Sequence, residues 1–211
     1  MPIRLGQLSL FTLGPLVILF AGCASSPRSM FYQLSPLQNR TAITRDASPD
    51  KTEMIAIGPV HIPDYLDRPQ IVTRAGKHEL RLSEFDRWAG SLESDVTRVL
   101  VENISGLLPD DHFSVVPWIP YLESQVPSSY RVEVNVDRFE GTLGDSVLLK
   151  AQWMVLANNR SMLLERESLI REQINGDSYD ALVGAMSSAL EKLSSDISGG
   201  ILFVLPPEAP R

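Results

Sequence analysis

Cys23 closes the stretch Leu19-Phe20-Ala21-Gly22-Cys23, and the chain has no second cysteine. A lone thiol cannot form an internal disulfide, and structural zinc takes about four ligands. The other chemistry-bearing residues are scattered: His61, His78 and His112 fall in three different segments. Asp110-Asp111-His112 comes nearest to a metal cluster, but two carboxylates and one imidazole fall short of a full ligand set. Acidic residues are also common in a loop that follows a proline, here Pro109. Glu165 and Glu167 share one face of a predicted strand, the ordinary place for solvated carboxylates. There is no Gly-x-Ser-x-Gly elbow, no phosphate loop and no His-Glu-x-x-His. The expectation is a protein that is not an enzyme, with no catalytic residue, no metal ligand and no cofactor.

The residues before Cys23 give it a different role. Met1 to Gln7 carries one side-chain charge, Arg4, and Leu8 to Ala21 is mostly apolar. That run is shorter than the roughly 18 to 20 residues that span a bilayer, and Gly14-Pro15 interrupts it, so it reads as an export signal. Ala21-Gly22-Cys23 resembles the lipobox of bacterial lipoproteins, with Phe20 where Leu is usual. The resemblance implies cleavage before Cys23 and a covalent lipid on its thiol and new amino terminus. Several acyl chains hold a protein durably where one holds it marginally. Lipoproteins retained at the inner membrane carry Asp after the cysteine, whereas Ala24-Ser25 stand here. That favours the periplasmic face of the outer membrane. Cleavage removes one cation, Arg4, and no acid, so the formal charge of −7 becomes −8. An acidic body without a basic stripe argues against nucleic acid and against anionic headgroups as direct ligands.

These residues need a domain to carry them. The predicted organisation is a signal peptide over 1–22, a lipidated tether over 23–52, a domain over 53–205 and a tail over 206–211. Met30 to Leu34 can form a short strand within the tether. Met54 to Val60 is a buried-type strand, and Gln70–Arg74 and Glu79–Leu82 make a hairpin about Ala75-Gly76-Lys77. Phe85, Trp88, Leu92, Val96, Val99, Leu100, Ile104 and Leu107 share a helical face, with Ser83 and Asp86 as a capping box. Phe113–Trp118 is a short strand. Val132, Val134 and Val136 alternate with polar residues, and Val147–Leu156 and Met162–Ile170 complete an antiparallel meander. Tyr179 to Ile197 holds a second helical stripe, with Asp177 or Ser178 as cap, Gly199-Gly200 as its stop and an apolar tail beyond. The expected fold is α/β: one layered domain, with a mixed, largely antiparallel sheet covered by two main helices.

The loop from Ile62 to Pro69 stands out because Pro63 and Pro69 stiffen both its ends and Tyr65 and Leu66 are set in a polar connection. Two readings stay open. It is a structured turn, with Tyr65 folded on the core and Arg68 paired with Asp64 or Asp67. Alternatively it is a stiff contact loop, since Tyr and Arg are favoured at binding hot spots. The second reading makes Tyr65, Leu66, Arg68, Pro69 and Gln70 partner contacts, with Arg87 pointing outward and Trp88 packing beneath.

Ile57-Gly58-Pro59-Val60, then Pro63-x-Tyr65-Leu66-Asp67-Arg68-Pro69-Gln70-Ile71-Val72-x-Arg74, resembles the PqiC-type lipoproteins, or ABC-type transport auxiliary lipoproteins. The likeness continues through Arg87-Trp88-Ala89, Arg98-Val99-Leu100, Glu102-Asn103, Tyr130-Arg131-Val132 and Phe139 to the last helix. Gly90-Ser91 departs from the Glu-Pro often found after Trp-Ala. The resemblance implies a layered α/β domain anchored under the outer membrane. Its partner would be an MCE-domain protein that crosses the periplasm and moves lipids or other hydrophobic molecules, in some systems with an ABC ATPase and permease. Members of that family can form homo-oligomeric rings. The alternative function is a structural or assembly lipoprotein of another envelope complex, such as a cell-wall synthase activator.

Overall fold

The computed structural model describes residues 28–36, 53–109, 112–121 and 128–205; the predicted signal peptide over 1–22, Cys23, most of the predicted tether, Asp110, Asp111 and the predicted tail over 206–211 lie outside them. In chain order the elements are β1 (Met30–Tyr32), β2 (Glu53–His61), β3 (Gln70–Arg74), β4 (Leu80–Trp88) and α1 (Leu92–Leu107). They continue as β5 (Phe113–Pro117), β6 (Tyr130–Gly141), β7 (Ser146–Ala157), β8 (Met162–Gln173) and α2 (Tyr179–Val204).

The expected meander is the backbone of the fold. β6, β7 and β8 pair antiparallel, each over about twelve residues. Alternation of apolar and polar residues buries Val132, Val134, Val136 and Phe139 of β6 and Leu149, Ala151, Trp153 and Val155 of β7 on one face. α2 packs over β6, β7 and β8, α1 packs over β2 and β5, and the two helices pack against each other. The other edge of β6 is shared. β2 runs parallel to it from Ile55↔Tyr130 to His61↔Asn135, and β3 meets it only at Thr73↔Gly141. The sheet therefore forks at β6, with β2 and β5 on one branch and β3, β4 and β1 on the other. The connection from β2 to β3, Ile62–Pro69, lies in the fork.

Two boundaries differ from the sequence expectation. Phe85 and Trp88 belong to β4, and α1 begins at Leu92, with Ser91 as N-cap accepting from the Ser94 amide at 3.4 Å. Two strands compete for the backbone of residues 86–88 and win over the helical period: β1 pairs Met30↔Asp86 to Tyr32↔Trp88, and β3 pairs Gln70↔Arg87. Ser83 and Asp86 do bond reciprocally, at 2.9 and 2.7 Å, but they close a bulge. Against β3 the register jumps there from Val72↔Leu82 to Gln70↔Arg87.

The second difference is that α2 does not stop at Gly199-Gly200 but runs on to Val204. A Cβ on Gly200 would lie 2.4 Å from the Trp153 ring, so this glycine lets the helix lie directly on the largest buried side chain of β7. A Cβ on Gly199 would meet nothing within 4 Å. Gly200→Ala should therefore destabilise the domain by about 1–3 kcal/mol through overpacking. Gly199→Ala should be neutral or stabilising by up to about 1 kcal/mol, as expected of a helix interior. Urea unfolding of the two variants checks this, and equal effects would remove the close-packing account of Gly200.

Candidate functional site

Ile62–Pro69 leaves β2 and turns at once: the Leu66 amide donates to the Pro63 carbonyl and the Arg68 amide to that of Leu66, both at 2.8 Å. Leu66 is 2 % exposed and pins the loop to the core. The far end is tied by the Trp88 amide, which donates to the Pro69 carbonyl at 2.8 Å.

Beneath the loop is a buried carboxylate, Glu140 of β6. The Tyr65 hydroxyl donates to its Oε2 at 2.7 Å. Arg74 of β3 donates through Nε at 2.8 Å and pairs through a terminal nitrogen at 2.8 Å. Arg138 donates at 3.0 and 2.8 Å, and the Phe139 amide at 3.2 Å. Burial alone pushes the Glu140 carboxyl up, but hydrogen bonds from Tyr65, Arg138 and Arg74 outweigh it and hold the group below its ordinary value. Burial, and then the bond to Glu140, push the Tyr65 phenol up, so it stays a donor. The cluster joins the loop, β3 and β6 at the fork, where the strands themselves share one register pair.

The residues named from sequence fall into one neighbourhood with two orientations. Leu66 and Trp88 are buried, and Tyr65 is turned onto Glu140, so their side chains hold the loop in shape. Pro69 is exposed, while Arg68, Gln70 and Arg87 are half-buried around it, with Gln70 opposite Arg87 in the β3–β4 ladder. Arg68 Nε is buried with no hydrogen-bond partner among the described residues, and no ion pair joins Arg68 to Asp64 or Asp67. The loop is thus both structured and partly outward-facing. Sequence reasoning missed Glu140 and Arg138. An Arg-x-Glu pair on the wet face of a strand carries no local sign that the carboxylate is covered.

A second polar cluster fixes the N-terminal strand. Asp95 of α1 accepts the Leu34 amide at 2.7 Å and Gln33 Nε2 at 3.3 Å. Arg98 donates to the Leu34 carbonyl and to Asp95, each at 2.6 Å, and to Glu102 at 3.0 Å. The Ser35 amide donates to Ser187 of α2 at 3.0 Å, and Leu34 is buried. Tyr32 donates to Asp86 at 2.9 Å, and burial and that bond push its phenol up to about 12. An open cleft of about 220 Å³ beside this clasp is lined by Tyr32, Gln33, Trp88, Ser91 and Asp95. Asn103 Nδ2 donates across the helix pair to Ser194 at 3.3 Å. No cluster of three or more His, Cys, Asp or Glu side chains is placed to hold a metal among the described residues.

Residues 32–198 match the family model described as the ABC-type transport auxiliary lipoprotein component. The relatives include the intermembrane transport lipoprotein PqiC of Escherichia coli (strain K12) and that of Shigella flexneri. Each is 22 % identical over 179 residues, covering 84 % of this chain and 89 % of the relative. Among solved structures, an uncharacterized protein aligns with a TM-score of 0.68 at 19 % identity, covering 83 % of this chain and 99 % of that one. The Xanthomonas campestris protein XCC0632 aligns with a TM-score of 0.64 at 15 % identity, covering 83 % and 96 %. Both share the fold.

Glu140→Gln should destabilise the protein by about 1–3 kcal/mol near neutral pH, because it removes the charge that Arg74 and Arg138 share, while both guanidiniums stay partly open to solvent. Tyr65→Phe should cost about 1.5–3 kcal/mol, the range for a hydrogen bond to a charged group. Because the folded-state value of Glu140 is depressed, its contribution is present above the ordinary carboxylate range and lost as pH falls through the lower folded value. Urea unfolding as a function of pH should show wild type and Glu140→Gln converging in acid. A gap that persists unchanged would mean that the charge of Glu140 is not what holds the fork.

Proposed function

The chain belongs to the ABC-type transport auxiliary lipoprotein family. From that premise we propose that it is the outer-membrane-anchored docking subunit of an inter-membrane transport system for lipids or other hydrophobic molecules, and that it receives an MCE-domain protein reaching across the periplasm. Cys23 carries the covalent lipid in this reading. Six residues, Ala24 to Ser29, lie between it and Met30, and these seven steps span at most about 25 Å, so the domain rides close to the membrane surface.

The observation that carries the docking role is the rigid loop at the fork. A loop already fixed by Leu66, by Tyr65 on Glu140 and by the Pro69–Trp88 bond loses little conformational freedom when a partner arrives. Its rim offers Arg68, Pro69, Gln70 and Arg87. Arg68 is half-buried and makes no ion pair among the described residues, so the exposed part of its guanidinium can meet an acceptor on a partner. The relatives' description as intermembrane transport lipoproteins supports the same assignment.

A photo-crosslinking residue at exposed Asp67 should capture an MCE-domain protein from intact cells. Arg68→Ala should lower that yield without changing the unfolding free energy by more than about 0.5 kcal/mol, the usual limit for a surface substitution. Capture of a cell-wall synthase or another assembly complex instead, with no MCE-domain protein, would replace the transport partner with the alternative function. Cys23→Ser should release the protein from the membrane fraction, and retention there would place the anchor elsewhere.

A further inference from the structure

β8 is the outer strand of the meander, and among the described residues it pairs only with β7. Edge strands are usually blunted by shortness, a proline, a bulge or charged side chains; β8 relies on charges of both signs, with Arg166 and Glu172 on its helix face among them. β1 is three residues long and β5 ends in Pro117. β8 is twelve residues long, has no proline, and keeps unbroken register with β7 from Leu164 to Gln173. In its middle Leu169 is 66 % exposed on the face away from the helices, opposite Lys150.

The sequence around Leu169 is charge-complementary to its own reverse. It reads Arg166-Glu167-Ser168-Leu169-Ile170-Arg171-Glu172. Two residues from Leu169 stand Glu167 on one side and Arg171 on the other, and three residues away Arg166 and Glu172. We propose that a second copy of this chain pairs with β8, antiparallel, about a two-fold axis at Leu169. Facing residues of an antiparallel pair share a face. The axis therefore sets Leu169 against Leu169 and Glu167 against Arg171 twice on the open face, and Arg166 against Glu172 twice on the helix face. Centring the axis on Ser168 sets Leu169 against Glu167, and centring it on Ile170 sets it against Arg171. The Leu169 register alone joins the apolar contact to four opposite-charge pairs.

Within one copy these groups already have neighbours on the inner side of the strand. Lys150 bonds Glu167 at 3.0 Å, Arg171 donates to Ser146 at 3.0 Å, Lys192 pairs with Glu172, and Arg166 lies over the Phe203 ring at 5.7 Å. Those contacts hold the side chains along the strand. The paired copies form one continuous sheet with both helix layers on the same side. A two-fold contact closes at two copies and differs from the head-to-tail contact that a ring requires.

The test uses the full-length protein in native membranes. Leu169→Cys with a short bis-maleimide should give a covalent dimer of this chain. Leu163→Cys should not, because six residues on each side of the axis put the two thiols about 40 Å apart. In the Leu169→Cys background, Glu167→Arg should reduce dimer yield roughly tenfold by facing like charges twice, and adding Arg171→Glu should restore it. Absence of the Leu169→Cys dimer overturns the proposal. So does equal crosslinking at Leu163→Cys, a failed restoration, or crosslinking of Leu169→Cys to a different chain.

Discussion

A buried carboxylate must be neutralised or bonded on every side, and Glu140 meets that demand by drawing three segments together. Tyr65 comes from the β2–β3 connection, Arg74 from the end of β3, and Arg138 from β6 itself. These are the segments that meet where the sheet divides. Backbone pairing between β3 and β6 is a single register pair, Thr73↔Gly141, too little to define how one branch lies against the other. The side-chain cluster supplies the missing constraint. It is directional, because an Arg fork and a phenol donor each fix an angle as well as a distance. A hydrophobic contact of similar area would tolerate sliding.

The same demand for close fit governs the helix layer. β6 and β7 present a continuous apolar face, and α2 lies on it lengthwise. Gly141 of β6 lets Leu182 approach, since a Cβ there would lie 2.7 Å from its Cδ1, and Gly200 lets the Trp153 ring approach from below. The Trp153 indole keeps its polar edge satisfied by donating to Ser168 at 3.1 Å, and Ser168 in turn donates to Asp196 of α2 at 2.7 Å. The helix is thus held to the strands by shape at one point and by a hydrogen-bond relay beside it. Asp95, Arg98 and Ser187 extend the same grip to residues 33–35, so the N-terminal segment is clasped by both helices.

Most of this architecture is legible in the sequence because it is periodic. Val132, Val134 and Val136 announce a strand with one dry face, and the stripe from Leu92 to Leu107 announces a helix. What the sequence hides is decided at a distance. Phe85 and Trp88 happen to continue the 3.6-residue stripe, yet their backbone is claimed by β1 and β3. Gly199-Gly200 looks like a helix stop until Trp153 is placed against Gly200. The loop was recognisable from its prolines and its misplaced Tyr65-Leu66. The carboxylate that shapes it was not, because its partners Tyr65 and Arg74 lie 75 and 66 residues away. A family resemblance supplies that kind of information without explaining it, since it records that Tyr65, Arg74 and their neighbours occur together.

The topology also separates the surfaces on which function would depend. Along β1-β4-β3-β6-β7-β8 the tethered strand and the long free edge are opposite ends of one sheet, with the fork between them. At about 4.8 Å per strand that is roughly 24 Å from β1 to β8. A partner on the Ile62–Pro69 loop and a second copy on β8 would therefore not compete for the same residues. Two copies joined at β8 would hold their β1 strands about 50 Å apart at the outer ends of a continuous sheet, with both helix layers facing one way. Each copy would bring its own lipid, and two linked anchors leave a membrane far less readily than one because both must detach together. The clasp on Leu34 then has a mechanical meaning. It would join a lipidated tether to the helix layer as well as to the short β1 ladder, so that a pull on the loop at the fork would reach the membrane through the core.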